Sequence, residues 1–208
     1  DEAGFEDAVI SASNDLDENI ISSLKLQGAT INRWGVGTNL ITSKDCPAFG
    51  GVYKLAAVKD DKNGEFIPKI KLSENAEKIT NPGNKKIYRI YNKKTGKIIA
   101  DYICLEDEIL SEDESLMLFD PVETWKRTKL NAGSFEVKEL LVPVFKNGEC
   151  VYKSPSVMEI RDFCKNELDT LWDESKRLAY PHETYVDLSQ KLWDMRYELL
   201  QKYHYQEL

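Results

Sequence analysis

The sequence predicts an α/β chain: one parallel βαβ unit, then an antiparallel β-rich region, then C-terminal helices. Three observations predict it. The period of the apolar residues changes twice between Glu6 and Thr38, turn signals separate runs of alternating residues between Gly51 and Lys153, and past Ser154 the apolar residues recur at helical spacing. The corresponding segments are 1–50, 51–153 and 154–208.

In the first segment, residues 8–12 read as a short apolar strand. Asp15 or Asp17 can cap the next helix, Ile20, Ile21 and Leu24 repeat at helical spacing, and Gly28 stands where a helix stops. Ala29 to Trp34 then forms a second strand, leading into the glycine loop "WGVGT" (34–38). Strand, helix and strand in so few residues imply parallel pairing, and parallel sheets normally have several strands with both faces covered. One βαβ unit cannot supply that. Together with the missing initiator Met and an opening "DEAGFED" that reads like the end of a preceding helix, this predicts a piece of a larger protein.

From Gly51 the pattern becomes strand and turn. "GVYKLAAV" and "FIPKIKLS" flank Asn63 and Gly64; "KIYRIYN" and "KIIADYICL" flank "KKTG"; "VKELLVPVF" and "ECVYK" flank Asn147 and Gly148. The acidic run "LEDEILSEDES" (105–115) has little periodicity and reads as a solvated loop. At the end, Ser156 and Glu159 have capping-box spacing, and Val157, Ile160, Phe163, Leu168 and Leu171 form a stripe expected to pack. A second helix is expected to start near "VDLSQ" (186–190), with Leu192, Met195, Leu199 and Tyr203 on its inner face.

With 208 residues, 41% of them hydrophobic and 31% charged, the chain can bury a substantial core in one or two domains. A net charge of −8 opposes general affinity for nucleic acid or an anionic membrane, so any phosphate must be caught locally. No stretch has the apolar length of a membrane span, and residues 1–20 lack the basic start and apolar run of a secretory signal, which predicts a cytoplasmic location. Cys46, Cys104, Cys150 and Cys164 form no CxxC pair and read as reduced thiols, with no metal site expected.

Motifs for an independent hydrolase or nucleotide triphosphatase are missing, and His182 and His204 both lie far in sequence from the glycine loop. The strand ends remain as candidates. In α/β sheets ligands bind at the carboxyl ends of the strands, which here carry "SASND" and "WGVGT". Glycines let backbone N–H groups approach an anion and Thr38 adds a hydroxyl, so the second loop reads either as a phosphate cradle or simply as a tight turn. "SNDLD" likewise reads as site or as helix cap.

A series of ordered strings extends over nearly the whole chain: "SNDLDE", "WGVGTNLITS", "PAFGGVYKL", "IKLSENAEKITNPGNKKIYRI", "DPVETW" and "YPHETYVDLSQKLW". Together they resemble bacterial nicotinate phosphoribosyltransferase. The resemblance implies a type II phosphoribosyltransferase whose incomplete α/β barrel joins a β-rich domain, with this chain as its C-terminal part. It implies that Gly35, Gly37 and Thr38 hold the 5′-phosphate of the phosphoribosyl group, that Ser13 and Asn14 border the ribose and phosphate, and that Asp15 either assists or caps the helix. Gly50 and Gly51 match a family string; on their own they read as permitting a tight chain entry into the sheet.

The reaction implied joins nicotinate to 5-phosphoribosyl 1-diphosphate, with ATP hydrolysis and Mg²⁺, in NAD salvage by a homodimer. The family's phosphorylated histidine, nicotinate-binding arginine and ribose aspartate lie in its N-terminal part, so the resemblance implies no catalytic group in this chain and no activity for it alone. The alternatives are a related nicotinamide or quinolinate phosphoribosyltransferase, or a non-catalytic phosphometabolite-binding or assembly module. The lysines and arginine at 85, 86, 89, 93, 94 and 97 read either as a solvated strand face or as a contact to ATP or diphosphate.

Overall fold

The computed structural model describes residues 4–48, 50–75 and 78–204, His204 by its backbone alone. The chain divides into two compact units, one of Asp1–Tyr53 with Leu178–Tyr180, the other of Lys54–Arg177 with Pro181–Leu208.

The first unit is built on β1 (Ser11–Ser13), α1 (Glu18–Leu26), β2 (Arg33–Gly35) and α2 (Thr38–Ile41). β1 and β2 pair in parallel, Ser11 opposite Arg33 and Ser13 opposite Gly35. The ladder is shorter than the expected strands 8–12 and 29–34 and lies nearer their carboxyl ends. Asn32 accounts for its start: its Oδ1 accepts the Ile10 amide at 2.7 Å, so a side chain stands where a ladder carbonyl would be. Asp17, not Asp15, caps α1, accepting the Ile20 amide at 2.8 Å. The helix ends in a Schellman arrangement, with Gly28 at φ +82°, its amide on the Lys25 carbonyl and the Ala29 amide on that of Leu24. No residue of α1 is buried.

The second unit begins with β3 (Ala57–Lys59) and β4 (Phe66–Pro68), an antiparallel pair. β5 (Lys85–Asn92) and β6 (Ile98–Leu105) form the expected hairpin; Asn92 Oδ1 accepts the amides of Lys94 and Thr95, and Gly96 takes φ +66°. β7 (Leu116–Phe119) and β8 (Arg127–Leu130) make an antiparallel pair that periodicity did not reveal, its turn held by Asp120 Oδ1 on the amides of Val122 and Glu123. "VKELLVPVF" is not one strand: its start belongs to β9 (Phe135–Glu139), which pairs with β5. Only β10 (Phe145–Lys146) and β11 (Glu149–Cys150) form the hairpin at Asn147–Gly148, whose φ values of +52° and +83° explain that dipeptide.

α3 (Val157–Thr170) carries the predicted capping box between Ser156 and Glu159. Past it, Val186–Leu188 is β12 rather than the start of a helix; it runs parallel to β6 and completes a four-stranded sheet of order β12-β6-β5-β9. The last element is α4 (Gln190–His204).

One side of this sheet buries Tyr88, Ile90, Ala100, Tyr102 and Cys104 with Leu118 and Phe135. Leu192 of α4 is buried with Leu105 and Leu188, whereas Tyr203, expected inside, is 49% exposed. The stripe on α3 does not pack as expected either, since Val157, Ile160, Phe163 and Leu168 are each at least half exposed. Polar contacts near its carboxyl end fasten α3 instead. Glu167 meets Arg89 and Lys138 at 3.3 and 2.6 Å, Lys97 Nζ donates to the carbonyls of Asp169 and Leu171, and Trp172 Nε1 donates to the Ile98 carbonyl at 2.7 Å.

The acidic run 105–115 is more than a solvated loop. Glu108 Oε1 accepts both the Leu105 amide and the Ser189 hydroxyl, at 2.7 and 2.6 Å, and Glu112 Oε1 accepts the Val137 amide. Ser189 is fully buried, so Glu108 satisfies a polar group that would otherwise be costly to hold at the end of β12.

Candidate functional site

In parallel strands paired in register, the two loops after them leave at the same end. Ser13 pairs with Gly35, which places the loop 14–17 beside the loop 36–38. A Cβ on Gly35 would stand 3.1 Å from Ser13 Cβ and 3.7 Å from the Ala12 carbonyl oxygen, the first of these tighter than ordinary contact. Glycine there lets the two strands approach closely at their carboxyl ends. This is why the strand ends on a residue that weakens strands.

The first loop is held in an uncommon backbone conformation. Asn14 and Asp15 take φ +85° and +48°, consecutive left-handed residues without a glycine, each costing on the order of 1 to 3 kcal/mol. Two attachments hold the loop. Leu16 is buried, and its carbonyl accepts Asn39 Nδ2 at 2.9 Å, tying this loop to the start of α2. Asn39 is the residue that sequence reasoning passed over; the signal was an amide directly after the Thr38 hydroxyl in "GTNL".

Gly37 is the N-cap of α2 at φ −101° and ψ −108°, with open space where a Cβ would project. Among the described residues no side chain caps this turn. Ser13, Asn14, Asp15, Gly35, Gly37 and Thr38 are all exposed. The ladder register thus brings the loops that carry Ser13, Asn14, Gly37 and Thr38 to one end of the strands.

Gly50 and Gly51 lie outside any helix or strand with nothing near a built Cβ, so neither a close approach nor a left-handed φ calls for glycine there. The cleft of about 350 Å³ in this unit has Asp17, Glu18 and Asp45 against Lys44 and includes none of the predicted phosphate contacts. Its charge disfavours an anion.

The basic hairpin is largely spoken for. Arg89 grips Asp101 through Nε and Nη2 at 2.8 and 2.9 Å, and this hydrogen-bonded pair holds its guanidinium well above the ordinary range. Lys85 donates to the carbonyls of Asn81, Pro82 and Gly83, and burial lowers its ammonium pKa. Lys97 is on the carbonyls that end α3, leaving the half-buried Lys86 on β5 and the exposed Lys93 and Lys94 in the turn after it, Lys93 3.9 Å from Glu112. Cys104, at the centre of the core, has its thiol pushed up to about 12 by burial and is inert at neutral pH.

The family model of the nicotinate phosphoribosyltransferase C-terminal domain matches residues 84–196. The chain belongs to the nicotinate phosphoribosyltransferase family. It is 45% identical over 193 residues to the nicotinate phosphoribosyltransferase of Bacillus subtilis, a match covering 93% of this chain and 39% of that protein. With the nicotinate phosphoribosyltransferase of Caenorhabditis elegans it shares 37% identity over 94% of this chain and 34% of the other. The crystal structure of human nicotinic acid phosphoribosyltransferase superposes with a TM-score of 0.69 at 25% identity, over 94% of this chain and 34% of that one. This member therefore spans roughly a third of the length of the relatives it matches, and the resemblance read from its motifs is borne out. Among the described residues, no helix is long and apolar enough to cross a membrane.

Proposed function

We propose that this chain is the C-terminal part of a nicotinate phosphoribosyltransferase, and that the loops after β1 and β2 bind the 5′-phosphate of 5-phosphoribosyl 1-diphosphate. The whole enzyme joins that donor to nicotinate, giving nicotinate mononucleotide with ATP hydrolysis. The observation that carries the site is the in-register pairing of Ser13 with Gly35, which brings two donor-rich loops to one end of a parallel ladder. The βαβ unit is then a part of the family's barrel, whose remaining strands would cover α1, where no residue is buried.

Amides at the start of α2, with the hydroxyls of Thr38 and Ser13, hold the phosphate; Asn14, in its left-handed conformation, turns an amide toward the ribose, and Asp15 borders the site. Gripping a group that does not react orients the anomeric carbon, where positive charge develops, and such binding energy lowers the barrier by positioning. Mg²⁺ and ATP enter this proposal with groups of the longer protein; among the described residues no three His, Cys, Asp or Glu side chains gather. Those groups, the nicotinate contacts and the dimer belong to the longer protein.

The test is steady-state kinetics of a chain carrying the further residues its relatives have. Thr38→Val removes one donor to a charged phosphate, worth about 1.5 to 3 kcal/mol, and raises KM for the phosphoribosyl donor by about 10- to 100-fold while leaving KM for nicotinate unchanged. An unchanged KM for the phosphoribosyl donor removes the loop from the site. The 208-residue chain assayed alone gives no turnover.

A further inference from the structure

The second unit contains a half-open cleft of about 390 Å³ between β6, the β7–β8 hairpin and β12. Its walls combine the apolar and aromatic side chains of Ile99, Leu118, Phe119 and Tyr185 with the basic Lys126 and Arg127. Asp187 lines it from β12 at 6% exposure; among the described residues its carboxylate makes no hydrogen bond or ion pair, and its oxygens stay within reach of water. Asp120 also lines the cleft; one of its oxygens is engaged by the Val122 and Glu123 amides, and its charge repels that of Asp187.

The two cations of the lining are not paired with Asp187, although the Lys126 charge acts on Asp120. Lys126 is paired with Glu123, and Arg127 donates Nε to the Thr124 carbonyl at 2.8 Å while its guanidinium lies over the Phe119 ring, 5.8 Å from the centroid. An unpaired carboxylate on a largely buried residue loses part of its hydration, which is costly, and a second carboxylate beside it raises the cost. A ligand that brings N–H donors and positive charge removes that cost, while its apolar body takes the walls.

We propose that this cleft is a binding site for a compact organic cation, an amidinium or guanidinium on a flat or aliphatic body, with Asp187 as its anchor and Asp120 in support. A metal ion fits less well, because the described residues offer no third ligating side chain. A neutral molecule of the same shape leaves Asp187 unpaired. Both loops of the phosphate site lie in the other unit, so the two sites answer to separate variants.

The experiment is a titration of the 208-residue chain with benzamidinium and, separately, with neutral benzamide, monitored by calorimetry and by amide shifts of Leu118 and Thr128. Benzamidinium is expected to saturate at one equivalent and to bind at least about tenfold more tightly than benzamide. Asp187→Asn is expected to abolish that preference, and Asp120→Asn to weaken it, each judged on protein whose spectrum shows it folded. Should Asp187→Asn not fold, the benzamide comparison and Asp120→Asn decide. Equal affinity for benzamide, full affinity in a folded Asp187→Asn protein, or no saturable binding of benzamidinium overturns the proposal.

Discussion

Replacing Asp187 by Asn should make the protein more stable, and only above a defined pH. Burial, reinforced by the neighbouring Asp120 carboxylate, raises the Asp187 pKa from 3.8 to about 6. For an acid raised on folding, the native state holds its proton more tightly than the unfolded chain does. Stability from this group is therefore present below pH 3.8 and is lost as pH rises toward 6. Each pKa unit is worth ~1.36 kcal/mol, so the shift sets an upper bound of ~3 kcal/mol held against the native state at neutral pH, reduced where water reaches the carboxylate.

Asn cannot ionise and recovers up to that amount, less whatever its own amide leaves unpaired. The assay is urea unfolding of both proteins monitored by tryptophan fluorescence between about pH 4 and pH 8. Taking the difference between the two proteins cancels every other titrating group, including Glu167, whose pKa the Lys138 hydrogen bond lowers and which weakens the fold in acid. The expected gain is near zero at about pH 4 and rises to a plateau of about 1 to 3 kcal/mol above about pH 6. A gap that does not change with pH, or an Asn protein weaker than the native one at the alkaline end, would refute the reasoning.

Other perturbations probe each unit in turn. Arg89→Met strands Asp101 and loosens Glu167 of α3; the residues are about a quarter exposed or less, and unfolding free energy should fall by about 1 to 3 kcal/mol, read by chemical denaturation. Gly83→Ala puts a Cβ 2.9 Å from Leu105 Cδ2 at φ +84°, whereas Gly96→Ala at φ +66° meets nothing. The first should cost about 2 to 4 kcal/mol and the second about 1, a contrast that equal melting temperatures would contradict. In hydrogen exchange, the amides of α1 and of the short β1–β2 ladder should lose protection before those of β5 and β6, since nothing in α1 is buried; equal protection would show a stability the packing does not explain.

The features that could be read from the sequence are those that neighbouring residues decide among themselves. The helix cap, read as Asp15 or Asp17 and found at Asp17, the Gly28 stop, the Asn92–Gly96 hairpin, the Asn147–Gly148 turn and the Ser156–Glu159 capping box each involve groups a few residues apart, and each is in place. The strand-end loops were legible for the same reason: a strand, a short helix and a strand force parallel pairing, and Gly35 beside Ser13 is its consequence.

The features that periodicity missed all depend on partners far along the chain. Val186–Leu188 is a strand because Asp101–Ile103 offers it an edge, and its neighbour Ser189 can be buried because Glu108 meets it. The α3 stripe looked like core because spacing reports which residues share a face and not whether anything covers it; in this structure Arg89, Lys97 and Lys138, brought by the sheet, fasten the helix instead. Asp187 is the sharpest case. In the sequence it is one more acid in an acidic chain, and its missing partner and raised pKa arise only when β12 closes the cleft against β7 and β8, because the cost of a charge depends on the water and charges that folding removes or brings near it.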